Sequence, residues 1–221
     1  MVRDGFYYGL AFTVAGALVT YMAGPWFALP LFLIGAFCAY FFRDPERLAP
    51  AGNLAVSPAD GKVVAVVREG DKTRVSIFLN IFDVHVNRMP ISGVIGEVTY
   101  SKGQFLVASR EMASAQNEQN TVVIHGDGTT VVFKQIAGLL ARRIIFTRKP
   151  GEFVRAGERV GMIKFSSRVD VIFGPEWHLE VCPGMRVSAG SSILASRGDR
   201  AQTLKVVAAP LEIEEGLVCQ T

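Results

Sequence analysis

The sequence has few of the residues that metal and thiol chemistry require. Three histidines and three cysteines occur among its 221 residues, and no HxH, HExxH or CxxC motif is present. These absences disfavour a zinc site and a disulfide framework, so we expect no metal. Gly-x-Ser-x-Gly and a phosphate-binding glycine-rich loop are also missing, which disfavours a hydrolase elbow and nucleotide chemistry. The net charge of +3 is too small to indicate a nucleic-acid partner.

Charged residues are absent from one long segment near the start of the chain, from Phe6 to Phe42. A single helix of that length would measure about 55 Å, whereas the hydrocarbon core of a bilayer is about 30 Å thick. Gly24-Pro25 should break the segment. The pattern predicts two apolar helices, about Phe6–Ala23 and Pro25–Phe42, which span the membrane or form a shallow hairpin. A cleaved signal peptide is the competing interpretation, although no clear small-residue cleavage site follows.

Basic residues flank this hairpin on both sides. Arg3 precedes it and Arg43, Arg47 and Lys62 follow it, whereas the connection at 22–26 carries no charge. Because basic flanks stay on the cytoplasmic side, we expect both ends of the hairpin to face the cytoplasm. The same residues favour an anionic bilayer as a partner.

The rest of the chain reads as a separate domain, with residues 1–48 as the membrane hairpin and 49–221 as a soluble-type region. Short β-branched runs between glycine-bearing turns predict a mainly β fold, a barrel or sandwich. We assign His125 and His178 to turns and Ser101–Asn120 to a long loop with some helix. The predicted strands include Arg74–Leu79, Gly93–Tyr100, Thr121–Ile124, Thr130–Ile136, Ile144–Phe146, Gly161–Phe165 and Val169–Phe173.

An internal repeat lies in the second half of the chain. Pro150–Gly161 aligns without a gap with Pro183–Leu194, and Pro-Gly, Val and Ala-Gly recur at the same offsets. Each copy predicts a Pro-Gly turn, a short strand, an Ala-Gly turn and a further β-branched run. The copies differ informatively at one place, because Glu158-Arg159 of the first becomes Ser191-Ser192 in the second.

A Gly-Ser turn has a specific chemical possibility. A strained glycine can present its carbonyl to the next residue's hydroxyl. Attack of Ser191 on the Gly190 carbonyl would convert the amide to an ester, and elimination followed by hydrolysis would leave a pyruvoyl group. That ketone could condense with an amine and accept electrons during a decarboxylation. The plainer alternative is a polar turn without chemistry.

Two other residues are candidates for chemistry. Asp60, before Gly61, is most often a plain turn residue. His85 lies among polar residues between apolar stretches, which makes it a better catalytic candidate than most lone histidines.

Together these features resemble the membrane-associated phosphatidylserine decarboxylases of the small prokaryotic type, over essentially the whole chain. The order and spacing of the motifs are more specific than any one of them. The motifs that carry the resemblance are Ser57-Pro58-Ala59-Asp60-Gly61, Asp83-Val84-His85-Val86-Asn87-Arg88, Gly103-Gln104-Phe105, Asn117-Glu118-Gln119-Asn120 and Ala189-Gly190-Ser191-Ser192.

The resemblance implies a proenzyme that cleaves itself between Gly190 and Ser191. Ser191 would become the pyruvoyl cofactor at the head of a small chain, paired with its own large chain, and a homodimer of that unit is left open. Asp60 would match the aspartate of an Asp/His/Ser maturation set, with His85 as its nearest histidine. The substrate would be phosphatidylserine, the product phosphatidylethanolamine, and the location the bacterial inner membrane, with the catalytic domain on the cytoplasmic side.

The motifs also suggest substrate-contacting residues and show two departures from the family pattern. Asn87, Arg88, Asn117 and Glu118 are the candidates for substrate contact. Longer relatives carry a second histidine where this chain has Arg88, so His85 serves both maturation and decarboxylation, or only one of them. Gln119 replaces a basic residue that is common in the family's loop motif.

Two other classes compete with this interpretation. Repeated Val-x-x-Gly turns are similar to those of lipoyl- and biotinyl-like carriers, which favours a barrel-sandwich hybrid fold with repeated halves. A carrier needs a lysine at a hairpin tip, whereas Lys164 lies in an apolar run. The other class is a membrane-anchored scaffold in which Gly-Ser-Ser is only a turn.

Overall fold

The computed structural model describes residues 2–103, 117–138, 143–164 and 167–198. These residues form two helices, α1 (Arg3–Ala23) and α2 (Pro25–Phe41), followed by fourteen strands. The strands are β1 (Leu54–Val56), β2 (Gly61–Glu69), β3 (Lys72–Leu79), β4 (Val86–Arg88), β5 (Gly93–Ser101), β6 (Gln119–Gly126), β7 (Thr129–Ala137), β8 (Ile144–Phe146), β9 (Phe153–Val154), β10 (Arg159–Ile163), β11 (Ser167–Phe173), β12 (His178–Leu179), β13 (Arg186–Val187) and β14 (Ile193–Ser196). The fold is mainly β with an apolar N-terminal helical segment, as predicted.

The two helices form an antiparallel hairpin that turns at Gly24. Gly24 has a φ of +97°, which favours glycine, and Pro25 follows at the first position of α2, where a missing N–H costs little. Small residues let the helices approach closely. A Cβ on Gly16 would lie 2.9 Å from the Phe32 ring, and one on Gly35 would lie 3.4 Å from Phe12. The break predicted at Gly24-Pro25 is therefore present.

The helices differ in length. α1 has 21 residues, roughly 31 Å, and is long and apolar enough to cross a membrane. α2 has 17 residues, about 26 Å. Tyr21 and Trp26 project at the hairpin tip with 91% and 83% of their surface exposed, as aromatic residues at a membrane interface do.

The strands form one curled eight-stranded sheet and two three-stranded sheets. The large sheet has the antiparallel order β13-β2-β3-β11-β7-β6-β5-β9, and the small sheets have the orders β1-β14-β12 and β4-β10-β8. Buried valine, isoleucine and phenylalanine side chains of the large sheet form the main core. The small sheets position the site, since β14 follows the Gly-Ser turn and β4 follows His85.

The internal repeat supplies both edges of the large sheet. β9 of the first copy pairs with β5, and β13 of the second copy pairs with β2. Val154 lies opposite Gly93, and Val187 lies opposite Gly61, so the two copies take equivalent registers. The repeat is therefore structural as well as sequential.

The segments that precede the strands paired with the two copies of the repeat also match each other in sequence. Pro58-Ala59-Asp60-Gly61 corresponds to Pro90-Ile91-Ser92-Gly93, and backbone hydrogen bonds join the two segments in both directions. The Val56 N–H donates to the Pro90 carbonyl at 2.8 Å, and the Arg88 N–H donates to the Pro58 carbonyl at 2.9 Å. The domain thus contains two matching pairs of segments, while repeated halves of a lipoyl-like barrel-sandwich hybrid stay a prediction.

Several expectations need correction or fall outside the described residues. His125 lies in β6 and His178 begins β12, so their assignment to turns was wrong; pairing with Thr130 and Ser196 extends those strands. Residues 104–116 of the predicted loop at 101–120 lie outside the described residues, as does the tail from residue 199 onwards. Cys38 is a free thiol, whereas Cys182 is disulfide-bonded, which the cysteine spacing did not predict.

Candidate active site

The Gly190-Ser191 bond lies in a tight, buried turn. Gly190 has a φ of +75°, which side chains rarely tolerate, and its N–H donates to the Ser57 carbonyl at 2.7 Å. A Cβ at this position would lie only 2.7 Å from Cδ of Arg88. Both the backbone angle and the lack of space therefore require glycine before Ser191.

The equivalent turn of the first copy packs directly against this one. Gly157 also has a positive φ, +78°, and a Cβ there would lie 3.4 Å from the Gly190 carbonyl oxygen. In that copy Glu158 closes the turn, because its carboxylate accepts the Arg155 N–H at 3.0 Å. The two Ala-Gly turns are thus one structural element used twice.

The second copy closes its turn with a different residue. Oγ of Ser192 accepts the Ser188 N–H at 2.9 Å, so this function has moved one position along the chain. Ser191, which aligns with Glu158, is left half-buried, and its hydroxyl makes one long hydrogen bond, to the Ser188 carbonyl at 3.4 Å. The hydroxyl next to the Gly190 carbonyl is therefore not needed to hold the turn.

Asp60 holds the residue that precedes Gly190. Its Oδ1 accepts the Ala189 N–H at 2.8 Å. Both carboxylate oxygens also accept from Arg47, at 2.7 and 2.8 Å, in a bidentate ion pair. The structure therefore brings Asp60 to the predicted cleavage turn.

His85 is fully buried at the base of the hairpin. Its ring stacks on Phe41 of α2 with centroids 4.4 Å apart. Nδ1 lies 2.9 Å from the Asp83 carbonyl, which can only accept, so Nδ1 carries the proton and Nε2 keeps its lone pair. Nε2 has no hydrogen-bond partner among the described residues. Burial lowers the pKa of His85 to about 4, so the ring is neutral at pH 7.

Within the described part of the chain, no hydrogen bond joins Asp60 to His85, and neither side chain is hydrogen-bonded to the Ser191 hydroxyl. The Asp/His/Ser set implied by the family resemblance thus stays a prediction.

The substrate candidates fall into two groups. Arg88 lies at the turn, where it donates to the Gly157 carbonyl at 3.0 Å and pairs with Asp44 at 3.1 Å. Burial lowers the pKa of its guanidinium. Asn87 is buried beside it; its Oδ1 accepts from Gln135 at 2.9 Å, and its Nδ2 has no partner among the described residues.

The other two candidates lie at the start of β6. The Asn117 amide donates to the Ala137 carbonyl at 2.7 Å. Glu118 accepts from the Tyr100 hydroxyl, and this hydrogen bond raises the pKa of Tyr100 to about 12. These two hydrogen bonds join Asn117 to β7 and Glu118 to β5.

The hairpin base is packed onto the β domain beside these residues. Phe41 and Phe42 form a buried apolar cluster with Val84, Val86 and Met162. An ion pair of 2.7 Å between Asp4 and Lys164 joins α1 to the domain as well. Side chains of the hairpin therefore form part of the apolar surroundings of His85.

An open cavity of about 430 Å³ lies at this junction. Arg43 donates to the Tyr40 and Phe82 carbonyls at 2.9 and 2.7 Å and stacks on the Tyr40 ring. No carboxylate of the described residues lies within ion-pair distance of Arg43. The cavity is lined by Ala39, Arg43, Asp44, Pro45, Arg47, Asp60 and Val84.

Arg47 is more than the membrane flank that its position predicts, and Asp44 is a contact residue that no motif marks. Asp44 pairs with Arg88 at 3.1 Å and with Arg159 at 2.6 Å, so the linker contacts both β4 and β10. The available signal was the charged run Arg43–Arg47 directly after an apolar segment. Within the described ranges, no three His, Cys, Asp or Glu side chains cluster as a metal site.

Comparison with known proteins gives a consistent result. A family model described as phosphatidylserine decarboxylase matches residues 34–195. A phosphatidylserine decarboxylase proenzyme of Solibacter usitatus is 66% identical over 200 residues, which covers 90% of this chain and 98% of that protein. Proenzymes of the same name from Cupriavidus taiwanensis and Solidesulfovibrio magneticus are 42% and 40% identical, over 88% and 90% of this chain and 94% and 97% of theirs. The chain therefore belongs to the phosphatidylserine decarboxylase family.

Proposed function

We propose that this chain is a proenzyme that cleaves itself between Gly190 and Ser191 and then decarboxylates phosphatidylserine to phosphatidylethanolamine at a membrane. The observation that carries the proposal is the Gly190 turn, which has a positive φ, is buried and is held by Asp60 beside the base of an apolar hairpin. The two resulting chains, 1–190 and 191–221, would remain together as one unit.

The cleavage begins at the Ser191 hydroxyl. Oγ attacks the Gly190 carbonyl carbon, the peptide C–N bond breaks, and the hydroxyl proton passes to the released amine, which leaves an ester. A base then removes the α-proton of Ser191, and the Gly190 carboxylate leaves. Addition of water to the remaining unsaturated residue releases ammonia and leaves a ketone. Asp60 keeps Ala189 in place throughout, because it accepts the Ala189 N–H.

Neutral His85 is suited to accept a proton during these cleavage steps. Its Nε2 lone pair is buried and has no partner among the described residues. Once it has gained a proton, a group with a pKa of about 4 is also a strong donor. We therefore assign to His85 the transfer of a proton to the substrate α-carbon after carbon dioxide leaves. The pyruvoyl group would supply the electron sink for that decarboxylation.

The residues around Ser191 fit such a group. Ser191 is half-buried and its hydroxyl is not needed to close the turn, so converting it to a ketone removes only two long hydrogen bonds, from its Oγ and its N–H to the Ser188 carbonyl at 3.4 and 3.3 Å. Ser192, which does close the turn, would stay beside it on the small chain.

The substrate headgroup would enter the cavity at the hairpin base. Arg43 and Arg47 line it, and Arg43 lacks a carboxylate partner in the described part of the chain. A phosphodiester could accept hydrogen bonds from that guanidinium. Moving acyl chains out of a bilayer costs about 0.8 kcal/mol per CH₂, so the enzyme must work at the membrane. The apolar hairpin provides that attachment.

A non-catalytic carrier function has less support. Carriers attach their prosthetic group to an exposed lysine, whereas Lys164 is 8% exposed and paired with Asp4.

The first test is replacement of Ser191 by alanine in the full chain. We expect the parent protein to give two chains by intact-mass spectrometry, the smaller beginning with a ketone in place of the Ser191 amine. Ser191→Ala should stay uncut and release no carbon dioxide from phosphatidylserine in mixed micelles, because the attacking hydroxyl is gone. The Gly157-Glu158 bond of the first copy is the internal control and should stay intact. An uncut parent, or an active Ser191→Ala variant, would refute the proposal.

A further inference from the structure

We infer that Arg47 is a positioning residue for self-cleavage, which acts by fixing Asp60 and Ala189 next to the Gly190-Ser191 bond. This inference rests on the proposed function. Arg47 lies in the linker that follows the membrane hairpin. The packing of the hairpin on the β domain therefore also affects self-cleavage.

Two side chains form hydrogen bonds with both polar backbone groups of Ala189, its N–H and its carbonyl. Asp60 accepts the Ala189 N–H at 2.8 Å, and Nη1 of Arg47 donates to the Ala189 carbonyl at 3.3 Å. The two side chains bond each other in a fork at 2.7 and 2.8 Å, with 16% and 13% of their surface exposed. Bidentate, charge-assisted bonds of this kind set the orientation as well as the distance of a carboxylate.

The first copy of the repeat provides an internal comparison. There the Ala156 N–H donates to Oγ of Ser92 at 2.9 Å, at the position that corresponds to Asp60. A neutral hydroxyl is therefore sufficient to hold an Ala-Gly turn in this fold. The second copy has a carboxylate with its own arginine, although burying charge is costly. The added pair is at the copy that carries Ser191, which favours a function in cleavage over a function in folding.

The linker itself is anchored, so Arg47 approaches the turn from a fixed base. Asp44 pairs with Arg88 and Arg159, and Glu46 also pairs with Arg159, at 2.7 Å. Two residues before Asp44, Phe42 is fully packed in the cluster at the hairpin base. Small displacements of reacting groups can reduce a rate by about 10²-fold. Loss of Arg47 should therefore slow cleavage even though Arg47 does not touch the reacting atoms.

The test follows the rate of self-cleavage after cell-free synthesis of the full chain into lipid nanodiscs, by electrophoresis against time. We expect Arg47→Ala to slow cleavage by about ten-fold or more. Added guanidinium should restore part of the rate by occupying the vacated space, and Arg47→Lys should fall between parent and alanine. Ser92→Ala, which removes the equivalent bond of the first copy, is the matched control and should cleave at the parental rate. In an Asp60→Asn background, Arg47→Ala should cause little further loss, because Arg47 acts through Asp60.

The outcomes separate the inference from the function on which it rests. An uncut parent chain would refute self-cleavage itself. If the parent is cut, equal rates for Arg47→Ala and parent would overturn the inference. It would also be overturned by a slow Arg47→Ala variant with a lowered thermal midpoint and no response to guanidinium, since Arg47 would then serve the fold alone.

Discussion

At the scale of single residues, the burial of His85 sets its protonation state and thereby the proton transfers it can perform. Desolvation is the main cause that lowers its pKa to about 4, and the Phe41 ring covers one face. The neutral ring is the form that can accept a proton, so self-cleavage should lose rate only as the pH falls through about 4, rather than through the ordinary value of 6.5. Rates of cleavage measured across this pH range would test His85 as the acceptor of a proton during self-cleavage.

Two aromatic variants provide the comparison for this prediction. Phe41→Ala would admit water to the His85 ring, which should raise its pKa and move the acid limb of the rate profile upward. Phe42→Ala opens the same apolar cluster without removing the ring stacked on His85, and should leave the limb near its original place. A parental limb near 6.5, or equal shifts in both variants, would contradict the function assigned to His85.

Motif spacing identified Ser191, Asp60 and His85 as candidates, and their functions stay predictions. The structure brings Asp60 into contact with the predicted cleavage turn and buries His85 beside the apolar cluster at the hairpin base. Arg47 was overlooked because its function depends on a contact across 13 residues with Asp60 and 142 residues with Ala189. Local patterns cannot specify such contacts.

At the scale of elements, long strands were easier to predict than short ones. β3, β5 and β7 have eight or nine residues and extend only slightly beyond their predicted bounds, because repeated β-branched residues mark them. The three-residue β8 is an exception, since it has the predicted bounds. β1, β4 and β12 have two or three residues each, too few to show an alternating pattern. The repeat compensated for this at β9 and β13, whose two-residue strands were predicted from their matching turns.

The orientation of the hairpin is a second question at this scale. Basic flanks favour a cytoplasmic domain, whereas the Cys182 disulfide favours an oxidising compartment. We propose the cytoplasmic orientation, with α1 and α2 spanning the inner membrane. In a chain whose native cysteines are serine, Met22→Cys at the tip should then react with an impermeant maleimide in intact spheroplasts. Asp71→Cys, in the exposed β2–β3 turn, should react only after permeabilisation. Labelling of Asp71→Cys in intact spheroplasts would reverse the orientation.

At the scale of the whole molecule, the hairpin, the linker and the β domain meet around one cavity. Two linker arginines line it and differ in their partners: Arg47 is paired with Asp60, whereas Arg43, among the described residues, donates to backbone carbonyls and has no carboxylate partner. We therefore propose that Arg47 serves maturation and that Arg43 binds the lipid headgroup. Lipid would then bind where α2 ends, next to the predicted cleavage turn.

This division of labour can be measured. Arg43→Ala should raise KM for phosphatidylserine in mixed micelles about ten-fold, the equivalent of one charge-assisted hydrogen bond, and should weaken inhibition by soluble glycerophosphoserine to a similar extent. Lys72→Ala removes an exposed positive charge at the start of β3 and should change neither value. If Arg43 instead attracts the anionic bilayer as a whole, only the micellar KM would rise, because glycerophosphoserine has the headgroup without the surface. Equal inhibition of parent and variant by glycerophosphoserine would therefore exclude the headgroup contact and return Arg43 to the set of membrane flanks.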